Sequence, residues 1–76
     1  MTLTLTCAET LGCLLESYIY AGFTIDIYSN GECIARGLRT VESTGLAVAA
    51  ATKPIKVEVR EGNTERQLIR TLRLMH

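Results

Sequence analysis

The stretch FTIDIYSNGECIARGL, residues Phe23 to Leu38, decides the fold. Phe23, Ile25 and Ile27 alternate with Thr24, Asp26 and Tyr28, the period of two that half-buries a β-strand. Asn30-Gly31 follows, and both residues tolerate the positive φ angles of a type I′ turn. With these two as the loop, Ser29 faces Glu32, Tyr28 faces Cys33 and Ile27 faces Ile34. The same register, extended, sets Ile25 opposite Arg36 and Phe23 opposite Leu38. A β-hairpin is therefore expected over 23–38.

Upstream of the hairpin, Ala8, Leu11, Leu14, Leu15, Tyr18 and Ile19 recur at helical spacing. Thr6-Cys7-Ala8-Glu9 has the form of a capping box, and Gly22 is a helix stop, so a helix is predicted over 7–20. Ahead of it, Thr2 to Thr6 alternates as a short strand. Downstream, Thr40 is a candidate N-cap for a second helix over 41–53, rich in alanine, which favours helix over strand. Lys53-Pro54 closes it, because the residue before proline is pushed out of the α region. Ile55, Val57 and Val59 then alternate with Lys56, Glu58 and Arg60, and Glu61-Gly62-Asn63-Thr64 supplies a turn. The last segment, 65–75, fits a strand through Leu68, Leu72 and Leu74, or a helix through Leu68, Ile69, Leu72 and Met75.

A weak internal repeat selects the strand. Residues 8–15 align with 41–48, Phe23–Tyr28 with Ile55–Arg60, and 33–39 with 67–73, the last pair sharing Arg, Leu and Arg. The repeat divides a single small domain, 1–76, into units 7–39 and 40–74. Each unit reads helix–hairpin. The expected fold is α+β: two αββ units forming a mainly antiparallel four-stranded sheet, with the N-terminal strand as a fifth at an edge and two helices on one face. That face would cover Phe23, Ile25, Ile27, Ile34, Leu38, Ile55, Val57, Val59, Leu68 and Leu72. Gly12 and Gly45 at equivalent helical positions predict a close helix crossing. Arg36 and Arg70 fall at inward positions, which calls for a β-bulge, for snorkelling into water, or for an arginine pair that grips an anion.

Composition excludes chemistries more readily than it assigns one. The 76 residues are 47% apolar, too hydrophobic for a disordered tail. Leu46 to Ala51, the longest apolar run, falls far short of the roughly 20 residues of a membrane span. No basic segment precedes the first apolar residues, so no signal peptide is expected. Cys7, Cys13 and Cys33 are odd in number without CxxC spacing, and His76 is the only histidine. Free thiols in the cytoplasm fit this better than disulfides, and neither a metal site nor a cofactor is expected. No GxxxxGK[ST], GxGxxG or HExxH occurs, and no histidine stands ready as a base, so the chain is not expected to be an enzyme.

Charge is polarised along the chain. Residues 1–35 hold four acidic groups and no Lys or Arg, whereas residues 36–76 hold eight basic groups against four acidic ones. Two partner surfaces follow from this: an acidic one with Tyr20, Asp26, Tyr28 and Glu32, and a basic one with Arg60, Arg66, Arg70 and Arg73. The expected function is a cytoplasmic protein-binding module, an inhibitor or adaptor that occludes a surface of a larger partner. Phages and mobile elements encode short single-domain inhibitors of this kind, anti-CRISPR proteins among them. The alternative is a small nucleic-acid-binding protein using the Arg-rich second hairpin. A homodimer would enlarge a core that, at this length, commonly supplies only about 3–5 kcal/mol.

Overall fold

The structure is a computed structural model that describes residues 2–52 and 54–75. Its elements are β1 (Thr2–Leu5), α1 (Ala8–Tyr20), β2 (Thr24–Ser29), β3 (Glu32–Leu38), α2 (Val41–Ala50), β4 (Ile55–Arg60) and β5 (Leu68–Leu74). The helix–hairpin unit appears twice. The five strands form one sheet in the order β1-β5-β4-β2-β3, antiparallel throughout except for β1, which runs parallel to β5 at the edge. Residues 68–74 are strand, so the helical alternative is discarded.

β2 and β4 lie side by side at the centre, with Thr24 opposite Arg60, Asp26 opposite Glu58 and Tyr28 opposite Lys56. A shift of 32 residues exchanges the first of these pairs with the last and sets Asp26 opposite its own counterpart. The two units thus meet about a local two-fold through the Asp26–Glu58 pair.

Period two then sorts the side chains. Ile25, Ile27, Ile55, Val57, Val59, Leu72 and Leu74 point to one face and are buried under Leu11, Leu15 and Ile19 of α1. At about 25 cal/mol per Å² of apolar surface removed from water, this layer is the main source of cohesion. Leu3, Leu5, Leu14, Phe23, Leu38, Ala47 and Val48 pack around it.

The local signals acted largely as expected. Asn30 and Gly31 sit at φ 52° and 84°, as a type I′ turn needs. α1 ends in a Schellman motif: the Gly22 amide donates to the Ile19 carbonyl at 3.0 Å and the Phe23 amide to the Tyr18 carbonyl at 3.1 Å. Gly22 takes φ 95° there. The hydrophobic contact that accompanies such a cap is an edge-on Tyr18–Phe23 pair, ring centroids 5.8 Å apart. Thr40 caps α2, its hydroxyl accepting from the Ser43 amide at 3.1 Å.

Four expectations are corrected. The Thr6–Glu9 capping box does not form, because Leu5 is still tied to the Met75 amide and the helix starts a residue later, with Cys7 at the N-cap. α2 ends at Ala50, not at 53; Ser29 draws the chain away by accepting from the Thr52 amide at 2.6 Å and donating to its carbonyl, and Lys53 lies outside the described residues. In the first hairpin the expected register holds at Ser29–Glu32 and Tyr28–Cys33 and then slips twice, giving Ile27–Ala35 and Ile25–Leu38. Ile34 is consequently 43% exposed, and Leu68, at the very start of β5, is exposed too. Finally, α1 and α2 do not cross closely at Gly12 and Gly45: a methyl group on either glycine would meet no heavy atom within 4 Å.

Candidate partner-binding surface

No helix covers the second face of the sheet. It carries Thr24, Asp26 and Tyr28 from β2, Lys56, Glu58 and Arg60 from β4, and Thr71 and Arg73 from β5. Two further arginines join it, Arg66 from the β4–β5 loop and Arg36 from the bulged strand β3, both reaching Asp26. Five cations stand over two anions. The two sequence-predicted surfaces are therefore not separate. Asp26, Tyr28, Arg60, Arg66 and Arg73 share one face, and that face is basic.

Asp26 organises it. Although its strand position faces outward, its side chain is 0% exposed, because arginines lie over it. Arg66 Nη2 donates to Oδ1 at 2.5 Å and to the Thr24 hydroxyl at 3.2 Å. Arg60 Nε lies 3.2 Å from Oδ2 and Arg36 Nε 3.9 Å. The contact with Arg60 is electrostatic: its N–H does not point at the oxygen, and both atoms are left without a hydrogen bond. The Gly37 amide completes the cluster, donating to Oδ1 at 2.8 Å. Burial pushes the Asp26 carboxyl up, but the Gly37 amide and the Arg66 and Arg60 guanidinium groups together outweigh it and hold Asp26 below its usual range.

Glu58 is the second anchor. Arg60 Nη2 donates to its Oε1 at 2.9 Å, the Tyr28 hydroxyl donates to the same oxygen at 3.2 Å, and Lys56 Nζ stands 3.6 Å from Oε2. Burial raises this carboxyl too, and Arg60 and Lys56 more than compensate, so it also titrates low. The central carboxylates are both ionised. Lys56 lies over the Tyr28 ring, 4.5 Å from its centroid, so one face of that ring is already occupied.

The loop that delivers Arg66 is built for the purpose. Asn63 Oδ1 accepts from the amides of Glu65 and Arg66, both at 3.1 Å, and turns the chain back over the sheet. Arg66 takes φ 48°, and its carbonyl accepts from Arg60 Nη1 at 3.0 Å. Gly62 sits so close to the Gly22 carbonyl that a β-carbon would be 2.3 Å from its oxygen, which pins the loop to the end of α1.

Arg36, its side chain 68% exposed, belongs to the open face because the first slip in β3 turned it over. The other named residues lie elsewhere. Arg70, the counterpart of Arg36, stays on the helix side, where Nη1 donates to the Tyr18 hydroxyl at 3.0 Å while Nε is buried without a partner. Tyr20 is 76% exposed at the end of α1, and Glu32 is exposed at the hairpin turn; neither joins the sheet cluster. Sequence reasoning missed Gly37. Glycine inside a strand pattern is a bulge signal, and here it takes φ 69° and frees its amide for Asp26.

Among the described residues no group of three or more His, Cys, Asp or Glu side chains is placed to hold a metal, and no helix is long and apolar enough to cross a membrane. Cys7, Cys13 and Cys33 are free and exposed. Compared with protein-family models, with curated proteins and with solved structures, the chain finds no match.

Proposed function

We propose that this chain is a non-catalytic protein-binding module that lays its open sheet face on an acidic patch of a larger protein, acting as an inhibitor or adaptor by occluding that patch. The observation that carries the reading is the surplus of cations held in place on Asp26 and Glu58. Arg60 and Arg66 are fixed by these carboxylates, whereas Arg36 and Arg73 project from the face into solvent. Charges held on a rigid sheet lose little entropy on docking, and their field steers an acidic partner. Three free thiols favour a reducing compartment such as the cytoplasm. An anti-defence inhibitor of the anti-CRISPR kind, encoded by a phage or mobile element, is one form such a module takes.

A nucleic acid is the second reading, since the same surplus attracts phosphates. Single-strand binders, however, also offer free aromatic platforms. Tyr28 is engaged by Lys56 and Glu58, and Tyr18 and Phe23 pack on each other at the end of α1.

Capture from native host lysate, with and without nuclease, separates the two. A stoichiometric protein that survives nuclease is expected with the wild type. Arg36→Glu combined with Arg73→Glu should weaken its binding by about tenfold or more, with a smaller loss at high salt where the wild-type attraction is already screened. Enrichment that disappears with nuclease would transfer the proposal to nucleic acid. A partner that binds both proteins equally would overturn the role of this face.

A further inference from the structure

The helix layer bears a second unpartnered surface. A furrow of about 550 Å³ runs between α1 and α2. Gly12, Cys13, Leu15 and Ile19 line it from α1, and Val41, Gly45, Val48 and Ala49 from α2. Both helices present positions three or four residues apart, the continuous stripe that one helix shows to another. The two glycines leave its walls open, with no atom within 4 Å of either missing side chain. Its charge is of one sign: Glu9 and Glu16 border it, Glu42 lies on α2, and neither helix contains a Lys or Arg. Arg39 lines the next hollow, beyond Ile19. Thr44 also lines the furrow, 3% exposed, with its hydroxyl lacking any hydrogen-bond partner.

We propose that this furrow is a docking site for an amphipathic helix of a partner protein, with small and apolar residues on its buried side and Lys or Arg at two positions flanking it. A third helix is the shape that fills a trough between two others, and bare glycine walls allow its backbone to come close. Glu9 and Glu16 are seven residues apart on one side of α1, about 10.5 Å along the axis at 1.5 Å per residue. Cations seven residues apart on the incoming helix match that spacing. Charge argues against a second copy as the occupant. Two copies joined helix face to helix face would set Glu9, Glu16 and Glu42 against one another with no cation on either helix. The furrow and the basic sheet face lie on opposite sides of the sheet, so this site stands independently of the function proposed above.

The test uses the full chain and a synthetic helical peptide of about 15 residues, long enough to hold a helix on binding. The peptide has Ala and Leu on one face and Lys at two flanking positions seven apart. Its control carries Glu in place of Lys. The lysine peptide should bind at least tenfold more tightly by fluorescence anisotropy, with amide shifts confined to residues 9–19 and 41–49. Gly45→Leu should abolish binding while the far-UV spectrum and melting temperature are retained, and Glu9→Lys with Glu16→Lys should reverse the preference between peptides. Equal binding of both peptides overturns the charge match. No binding of the lysine peptide at about 1 mM, an affinity of roughly −4 kcal/mol, overturns the site. A dimer in native mass spectra that Gly45→Leu dissociates overturns it in favour of a second copy.

Discussion

The two faces of this sheet are made by the same strands and hold together by different physics. On the helix side, Ile25, Ile27, Val57, Val59 and Leu72 are buried by contact alone, and each side chain contributes roughly in proportion to the surface it hides. On the open side, Asp26 is buried just as completely, but by arginines that reach it from β3, β4 and the β4–β5 loop. Loss of one apolar group from the first face leaves a cavity but no unpaired charge. Loss of the Asp26 carboxylate from the second leaves Arg66 and Arg36 without an anion and Arg60 with Glu58 alone. The comparison shows why the open face is basic: the ion cluster recruits more arginines than its carboxylates neutralise, and the surplus faces solvent.

Asp26→Ala should have the largest effect of any change on the open face. Removing one partner of a buried ion pair costs about 3–5 kcal/mol. Here Arg60 and Arg66 keep about a quarter of their side chains in water, which lowers the expectation to about 2–4 kcal/mol. Urea denaturation at pH 7 reads the loss directly. Ile27→Ala, its neighbour on the apolar face, belongs in the same experiment with an expected loss of about 2–5 kcal/mol. A loss below about 1 kcal/mol for Asp26→Ala would mean that the arginines hold one another apart in water without it.

Acid sharpens the same contrast. Asp26 and Glu58 titrate below their usual values in the folded chain, so their stabilisation is fully present above the unfolded carboxyl range near pH ~4. It is lost as pH falls through the lower folded values, because the unfolded chain then binds more protons. Stability should decline over that window in the wild type and in Ile27→Ala, but distinctly less in Asp26→Ala. Equal slopes in all three, measured by urea midpoints between pH 5 and 2.5, would show that Asp26 is not the group responsible.

Gly62→Ala should act on the open face from a distance, at about 1–3 kcal/mol. Its new methyl would sit 2.3 Å from the Gly22 carbonyl oxygen, and backbone must move to admit it. The loop that moves is the one that carries Arg66 to Asp26. Amide shifts should therefore appear at Thr24, Asp26 and Gly37 as well as at the mutated turn. Shifts limited to residues 61–64 would mean that Arg66 finds Asp26 without the packed loop.

The sequence made the apolar face legible and concealed the ionic one, for a physical reason. Alternation in Thr24–Ser29 and Ile55–Arg60 is a local signal, and Asn30-Gly31 sets the turn by its own backbone preference, so the hairpins, the helices and the α+β order could be read along the chain. The partners of Asp26 are 10, 34 and 40 residues away, and no periodicity links them. Arg36 and Arg70 show the limit most clearly. They occupy equivalent places in similar heptapeptides, yet the first slip in β3, between Cys33 and Ala35, turns one to solvent while the other remains inside against Tyr18. One extra residue in a ladder reverses the side chains beyond it until a second restores them; Gly37 marks the second slip, and nothing in Cys33-Ile34-Ala35 marks the first. Charge along the chain sets Asp26 and Arg60 on opposite surfaces, whereas β2 and β4 are neighbours in the sheet.

The smallest expected effect has the opposite sign. Gly12 and Gly45 looked like a close helix crossing, which would make any larger side chain destructive. In the fold they border an open furrow, and an added methyl meets nothing within 4 Å. Glycine within a helix is worse than alanine by about 0.5–1 kcal/mol, because it freezes more backbone freedom on folding. Gly12→Ala and Gly45→Ala should therefore each raise stability by up to that amount, and the pair should be additive, since neither methyl reaches a shared neighbour. Thermal melts of the two single variants and the double variant check this. A loss from either substitution would mean that the helices close on each other in solution, and it would take the furrow away with it. A gain from both would show that both glycines cost helix stability while packing against nothing, as an open furrow requires.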